Sequence, residues 1–187
     1  VYLTVGNTKR WIPTGEIFND WNFAYKPIET VSQGELDGIP TIPPLDRLGY
    51  FNNRYFYVDG GKKYWLSNDA LIRAWGQSNK LGIAAPAFVA LASIPDGGEA
   101  PFYISLPSES KVARLINGQK YLINASDADR WQANPVALTA SSFNSISTAA
   151  TVDYRISVNG VKYVVDSGRL LNVNSYNQLR DYGQQSA

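Results

Sequence analysis

Apolar and polar residues alternate with a period of two in short runs, and the runs break at glycine. Around Asn159-Gly160, residues Tyr154, Ile156, Val158, Val161, Tyr163 and Val165 share one phase while Arg155, Ser157 and Lys162 share the other. Successive side chains of a strand point to opposite faces, so this pattern predicts a hairpin whose first set faces a core. Asn-Gly readily takes both left-handed positions of a type I′ turn, which predicts a second hairpin across Asn117-Gly118.

The same phrase recurs along the chain. Lys9-Arg10-Trp11-Ile12, Lys63-Tyr64-Trp65-Leu66, Lys120-Tyr121-Leu122-Ile123 and Lys162-Tyr163-Val164-Val165 each follow a glycine turn, with the lysines 54, 57 and 42 residues apart. A fixed phrase at such spacing is the mark of one copied supersecondary unit. Its register turns Ile12, Leu66 and Ile123 inward and places Lys9 with Trp11, and Lys63 with Trp65, on the opposite face. A short helix is expected after each of the first three hairpins. Thr14, Asn68 and Ser126 are suitable N-caps, Ser126 with Asp129 has capping-box spacing, and Phe18–Trp21 matches Ile72–Trp75, with Trp131 as a third anchor. A second helical segment is expected where Ser32 and Glu35 form a capping box before Leu36 and Ile39, repeated at Leu91 and Ile94, and stopped at Pro40 and Pro95.

Leu138…Phe143…Ile146 and Leu171…Tyr176…Leu179 superimpose at an offset of 33, so the fourth copy is shorter than the third by nine residues, most of its first helix. Pro43-Pro44, Asp96-Gly97-Gly98 with Pro101, and Ser147 to Thr151 read as connections. Segments near Arg47 to Phe51 and Phe102 to Leu106 read as outer strands. The expected fold is α+β: about four tandem β-hairpin/short-helix repeats, near 1–46, 47–101, 102–151 and 152–187, packed as one body. A short solenoid and a closed pseudo-symmetric ring both satisfy the periodicity.

The first copy also resembles a tandem repeat of secreted and cell-surface bacterial proteins. The matching residues are Lys9, Arg10, Trp11, Ile12, Pro13, Phe18, Val31, Ser32, Glu35, Leu36 and Pro40. Lys63, Trp65, Trp75 and Pro95 keep the pattern in the second copy, and little beyond the lysine–tyrosine hairpin survives in the last two. The resemblance implies a non-catalytic module attached to other extracellular domains, with a role in surface association. A likeness to choline-binding repeats around Tyr55 to Trp65 is superficial, since those units are shorter and lack the helices.

Composition narrows the chemistry. The 187 residues carry 17 basic and 16 acidic side chains with no basic stripe, which argues against a nucleic-acid partner. Histidine and cysteine are both absent, so a Ser-His-Asp triad, a thiolate nucleophile, disulfides and the usual zinc ligands are excluded. No metal or cofactor site is expected, and the glycine turns at Asp59 and Asp96 lack the carboxylates a calcium loop needs. No apolar run reaches the length of a membrane helix. The start at Val1 and the lack of methionine are expected of a processed product or a piece of a longer protein.

Only carboxylates remain for catalysis. Glu16 with Asp20 and Asp127 with Asp129 are the pairs a glycosidase would need, but their positions at helix starts fit capping instead, so no enzyme is expected. The aromatic content, 13% with 12 tyrosines and 5 tryptophans, is the remaining functional hint. Trp11 and Trp65 beside Lys9 and Lys63 form the candidate ligand-binding set, a stacking platform for sugar rings, against the plainer reading that the tryptophans fill seams between repeats. The expected function is a non-catalytic extracellular or cell-surface module that binds cell-wall or other polysaccharide, or attaches its parent protein to a surface. The alternative is an adhesive subunit that binds protein through repeat or strand edges.

Overall fold

The computed structural model describes residues 1–81, 89–166 and 168–173. The fold is mixed α+β and mostly sheet, with four sheets, five short α-helices and no closed barrel among the described residues.

The first sheet pairs β1 (Tyr2–Val5) with β2 (Thr8–Trp11) as a hairpin, and adds β3 (Thr41–Ile42) parallel to β2. The second runs β4 (Leu48–Phe51), β5 (Arg54–Asp59) and β6 (Lys62–Leu66) as a meander, then β7 (Asp96–Glu99) parallel to β6. In the third, β8 (Tyr103–Leu106), β9 (Lys111–Ile116) and β10 (Gln119–Ile123) repeat the meander. It is flanked by β11 (Val136–Ala137) and by β12 (Ser147–Val152), which is parallel to β10. The fourth is the meander β13 (Arg155–Val158), β14 (Val161–Asp166) and β15 (Arg169–Asn172). The outer strands expected near Arg47 and Phe102 are β4 and β8. Two expected connections are strands instead: Asp96-Gly97-Gly98 lies in β7, and Ser147 to Thr151 lies in β12.

Helices fill the crossovers. Thr14 caps α1 (Gly15–Asp20) by accepting from the Ile17 amide, and Asn68 caps α3 (Asp69–Ala74) by accepting from Leu71. Ser32 and Glu35 close the expected capping box at α2 (Gln33–Asp37). The corresponding later helices are α4 (Val89–Ala92) and α5 (Ala140–Ser145). The helix expected after the third hairpin is a 3₁₀ turn (Ala125–Asp127) followed by tight turns. Asp127 N–H donates to Asn124 O, so the turn opens two residues before Ser126, which lies inside it and is not its N-cap. The expected Ser175–Leu179 element lies outside the described residues.

Ile12, Leu66 and Ile123 are buried, as the register requires. One core joins Leu3, Val5, Ile12 and the α1 segment to Phe56, Val58, Trp65, Leu91 and Ile94 of the second sheet's face. A second joins Tyr64, Leu66 and α3 to Ala113, Leu115 and Leu122 of the third. A third holds Ile123 and Trp131 against Tyr154, Ile156 and Val165 of the fourth. The second and third sheets are thus packed on both faces. In the fourth, Val165 is buried with the expected face, but Val164 on the other face is buried too.

Three joints between consecutive sheets share one set of hydrogen bonds. A carbonyl at the end of a helix or turn accepts from the second residue of the next sheet's hairpin turn: Gly61 N–H to Asp20 O at 3.0 Å, Gly118 to Ala74 at 2.9 Å, and Gly168 to Arg130 at 2.9 Å. A tryptophan follows each accepting residue, and the residue after it turns left-handed: Asn22, Gly76 and Gln132. At the middle joint the two backbones touch, because a Cβ on Gly118 would sit 2.8 Å from Gly76 Cα. At the first, Gly49 lets the Trp21 ring lie on the second sheet, since a Cβ there would meet that ring at 3.0 Å and Leu91 at 2.7 Å.

Candidate functional site

The lysines of the recurring phrase do not face solvent as a set. Lys9 is buried and its Nζ donates to Leu36 O at the end of α2. Lys63 Nζ donates to Leu91 O of α4 at 2.8 Å, and Lys120 Nζ to Phe143 O and Ile146 O of α5 at 2.6 and 2.7 Å. Terminal carbonyls of a helix have no partner within the helix, and a cation there both satisfies them and meets the negative end of the peptide dipoles. Each ammonium thus pins its crossover helix to the strand that carries the lysine. Burial lowers the pKa of Lys120, with nearby Lys111 adding to the effect. Lys162 is exposed, and the segment in which its helix was expected lies outside the described residues.

The tryptophans part company as well. Trp11 is 46% exposed and lies beside Tyr2, its cross-strand partner, which is 40% exposed. Trp65 is half-buried against the first core, with the Arg54 guanidinium 4.6 Å from its ring centre. The pair sits on two different sheets, β2 of the first and β6 of the second. Trp21 and Trp75 are buried and donate their indole N–H to Asp46 O (2.9 Å) and Pro101 O (3.0 Å) of the following segment.

Asp20 and Asp59 are committed to structure. Asp20 is buried at the first joint, paired with Arg47 at 2.7 Å, and its second oxygen accepts from Gly60 N–H. Burial raises its pKa, and the Gly60 and Arg47 contacts oppose that shift without cancelling it. Glu16 is exposed; its own amide and Thr14 at the helix start lower its pKa. Asp59 accepts from both the amide and hydroxyl of Thr139, the residue that caps α5. No group of three carboxylates that could hold a metal occurs among the described residues.

A polar cavity lies where α3, the β9–β10 turn and the end of α5 meet. It has a volume of about 450 Å³ and is lined by Asp46, Arg47, Gln77, Lys80, Asn117 and Gln119, among others. Local chemistry explains its floor. Helix α3 ends at Trp75 with left-handed Gly76, and Gln77 N–H reaches back to Ile72 O in a Schellman closure. Gln77 is thereby buried, its Nε2 donating to Trp75 O, while its Oε1 has no hydrogen-bond partner among the described residues. The charges around it are already paired: Lys80 with Asp46 at 2.6 Å, and Arg47 with Asp20 and with Ser141 Oγ. A smaller, mainly apolar cavity of about 260 Å³ shares Asp46 and Lys80 with it.

Nothing in the alternation marks these cavity residues, because most of them come from the ends of helices and strands and from turns. The Gly-Gln step after Trp75 and the Asn-Gly turn are the signals that were present. No family model matches the chain, and neither a curated protein nor a solved structure matches it. No helix among the described residues is long and apolar enough to cross a membrane.

Proposed function

We propose that the chain is a non-catalytic extracellular module of stacked hairpin–helix units that attaches its parent protein to a neutral polysaccharide, and that the polar cavity at the joint of the second and third sheets receives the sugar. The stacking is supported by the lysine-to-helix-end bonds at Lys9, Lys63 and Lys120 and by the three like joints. The observation that carries the ligand class is a polar cavity whose charges are mutually paired. Side-chain amides both donate to and accept from sugar hydroxyls. Paired charges leave no net field to select an ion. Asn117 and Gln119 add neutral donors and acceptors at the rim.

Retention on insoluble peptidoglycan, chitin and cellulose tests the reading. Gln77→Leu and the milder Gln119→Ala, both confirmed folded, should lose retention on the polymer that binds the unaltered chain. Equal retention by both variants, or none by the unaltered chain, rejects the cavity as the site. Trp11→Ala in the same assay separates this from the aromatic platform. Protein assembly through the first sheet is the second reading, favoured by the exposed Tyr2 and Trp11 beside its free edge β1.

A further inference from the structure

The first and second sheets present the same face to different surroundings. On the second, Phe56, Val58, Lys63 and Trp65 are covered by α4 and by the α1 segment of the preceding unit, with Trp21 and Phe23 in the core. On the third, Ala113, Leu115, Lys120 and Leu122 are covered likewise by α5 and by α3 with Trp75. On the first, Tyr2, Thr4, Lys9 and Trp11 carry only α2 among the described residues.

Apart from Lys9, which is buried, the residues that a preceding helix would cover are open there. Leu91 and Ile94 of the second unit are buried, whereas the matching Leu36 and Ile39 are half-exposed, and Val31 and Ile28 nearby are exposed. Strand β1 is the free edge of its sheet, where β5 and β9 each have a further strand, β4 or β8, on that side. Asn7 occupies the turn position of Gly61 and Gly118, and it too is exposed. A Cβ at Gly61 would meet Asn22 no closer than 3.8 Å, so the first joint has space for a side chain at this position, unlike the middle one, where a Cβ on Gly118 would sit 2.8 Å from Gly76 Cα.

We propose that this bare face is an unfilled copy of the joint seen inside the chain, and that it takes the end of another hairpin–helix unit. The occupant is defined by what fills the two equivalents: a helix of about two turns with an apolar residue three positions before a tryptophan, and a left-handed residue after it. Its last carbonyl accepts from Asn7 N–H, its tryptophan packs on Tyr2 and Trp11, and the outer strand joined to it pairs with β1. A contiguous apolar face beside an open strand edge is the kind of surface that such pairing closes.

The test is a variant with residues 1–54 repeated ahead of Val1, which sets Tyr2 in the place of Phe56 and provides both helix and outer strand. Amide hydrogen exchange at Asn7 and across the original β1 should slow roughly tenfold or more, as for a segment taken into a cooperative unit. Trp21→Ala in the added copy alone should reverse that protection while the original 187 residues stay folded. Unchanged exchange at Asn7 beside a folded added unit, or an added unit that gains no circular dichroism signal, overturns the proposal.

Discussion

The hairpins around Trp11 and Trp65 carry nearly the same words, Lys-Arg-Trp-Ile and Lys-Tyr-Trp-Leu, in one register, and they live in different environments. In both, the lysine secures the end of a crossover helix. Around Trp65 the preceding unit lays Trp21 and Phe23 on the sheet, so the aromatic face is core. Around Trp11 it is surface. The local sequence decides which face is apolar; the neighbour decides whether that face is buried. A tryptophan in such a phrase is therefore evidence of a joint before it is evidence of a ligand.

The largest effect should come from breaking a filled joint. Asp20→Ala removes the partner of buried Arg47 and the acceptor of Gly60 N–H. A buried charge left unpaired typically costs about 3 to 5 kcal/mol, measurable by urea unfolding. Next comes the pair of tryptophans. Trp65→Ala empties packed space and should cost about 2 to 3 kcal/mol, whereas Trp11→Ala on the bare face should cost under about 1 kcal/mol. Equal losses would mean that the two faces are equally buried.

The lysines should grade in the same way. Lys120→Met leaves two inward carbonyls unmet and should cost about 1 to 3 kcal/mol, whereas Lys9→Met, beside half-exposed Leu36, should cost less than about 1 kcal/mol. Smallest is a pH effect confined to α2, the uncovered crossover helix. Hydrogen bonds from the Ser32 side chain and amide lower the Glu35 pKa below its usual 4.5. A carboxyl with a lowered folded pKa contributes stability that is present above its unfolded pKa and lost as pH falls through the folded one. The α2 signal should thus fray as pH drops below 4.5, and Ser32→Ala should bring the Glu35 pKa back toward that value, as read by carboxyl NMR titration.

Much of this was legible in the chain. The strand register, the caps at Thr14, Ser32 and Asn68, and the inward Ile12, Leu66 and Ile123 all follow from local chemistry that folding does not override. The parallel strands β7 and β12 were hidden because glycine, alanine, serine and threonine give no alternation to read, and their pairing is set by the crossover rather than by their own sequence. The turn at Asn124 was read two residues late, since Ser126 offers a capping oxygen that the backbone does not use. The cavity was invisible for a different reason: it is assembled from residues far apart in the chain, held by backbone contacts such as Gly76 on Gly118. Lys9 and Lys63 were placed on the correct face, but the alternation carries no sign that a helix end lies over them.

Amide hydrogen exchange at four turn residues of the unaltered chain, Asn7, Gly61, Gly118 and Gly168, compares the bare face with the filled joints in one experiment. Gly61, Gly118 and Gly168, each bonded to the unit before it, should exchange slowly while Asn7 exchanges at close to the rate of an open turn. Asn7 as slow as Gly61, or Gly61 and Gly118 as fast as Asn7, would contradict the joints on which the account rests.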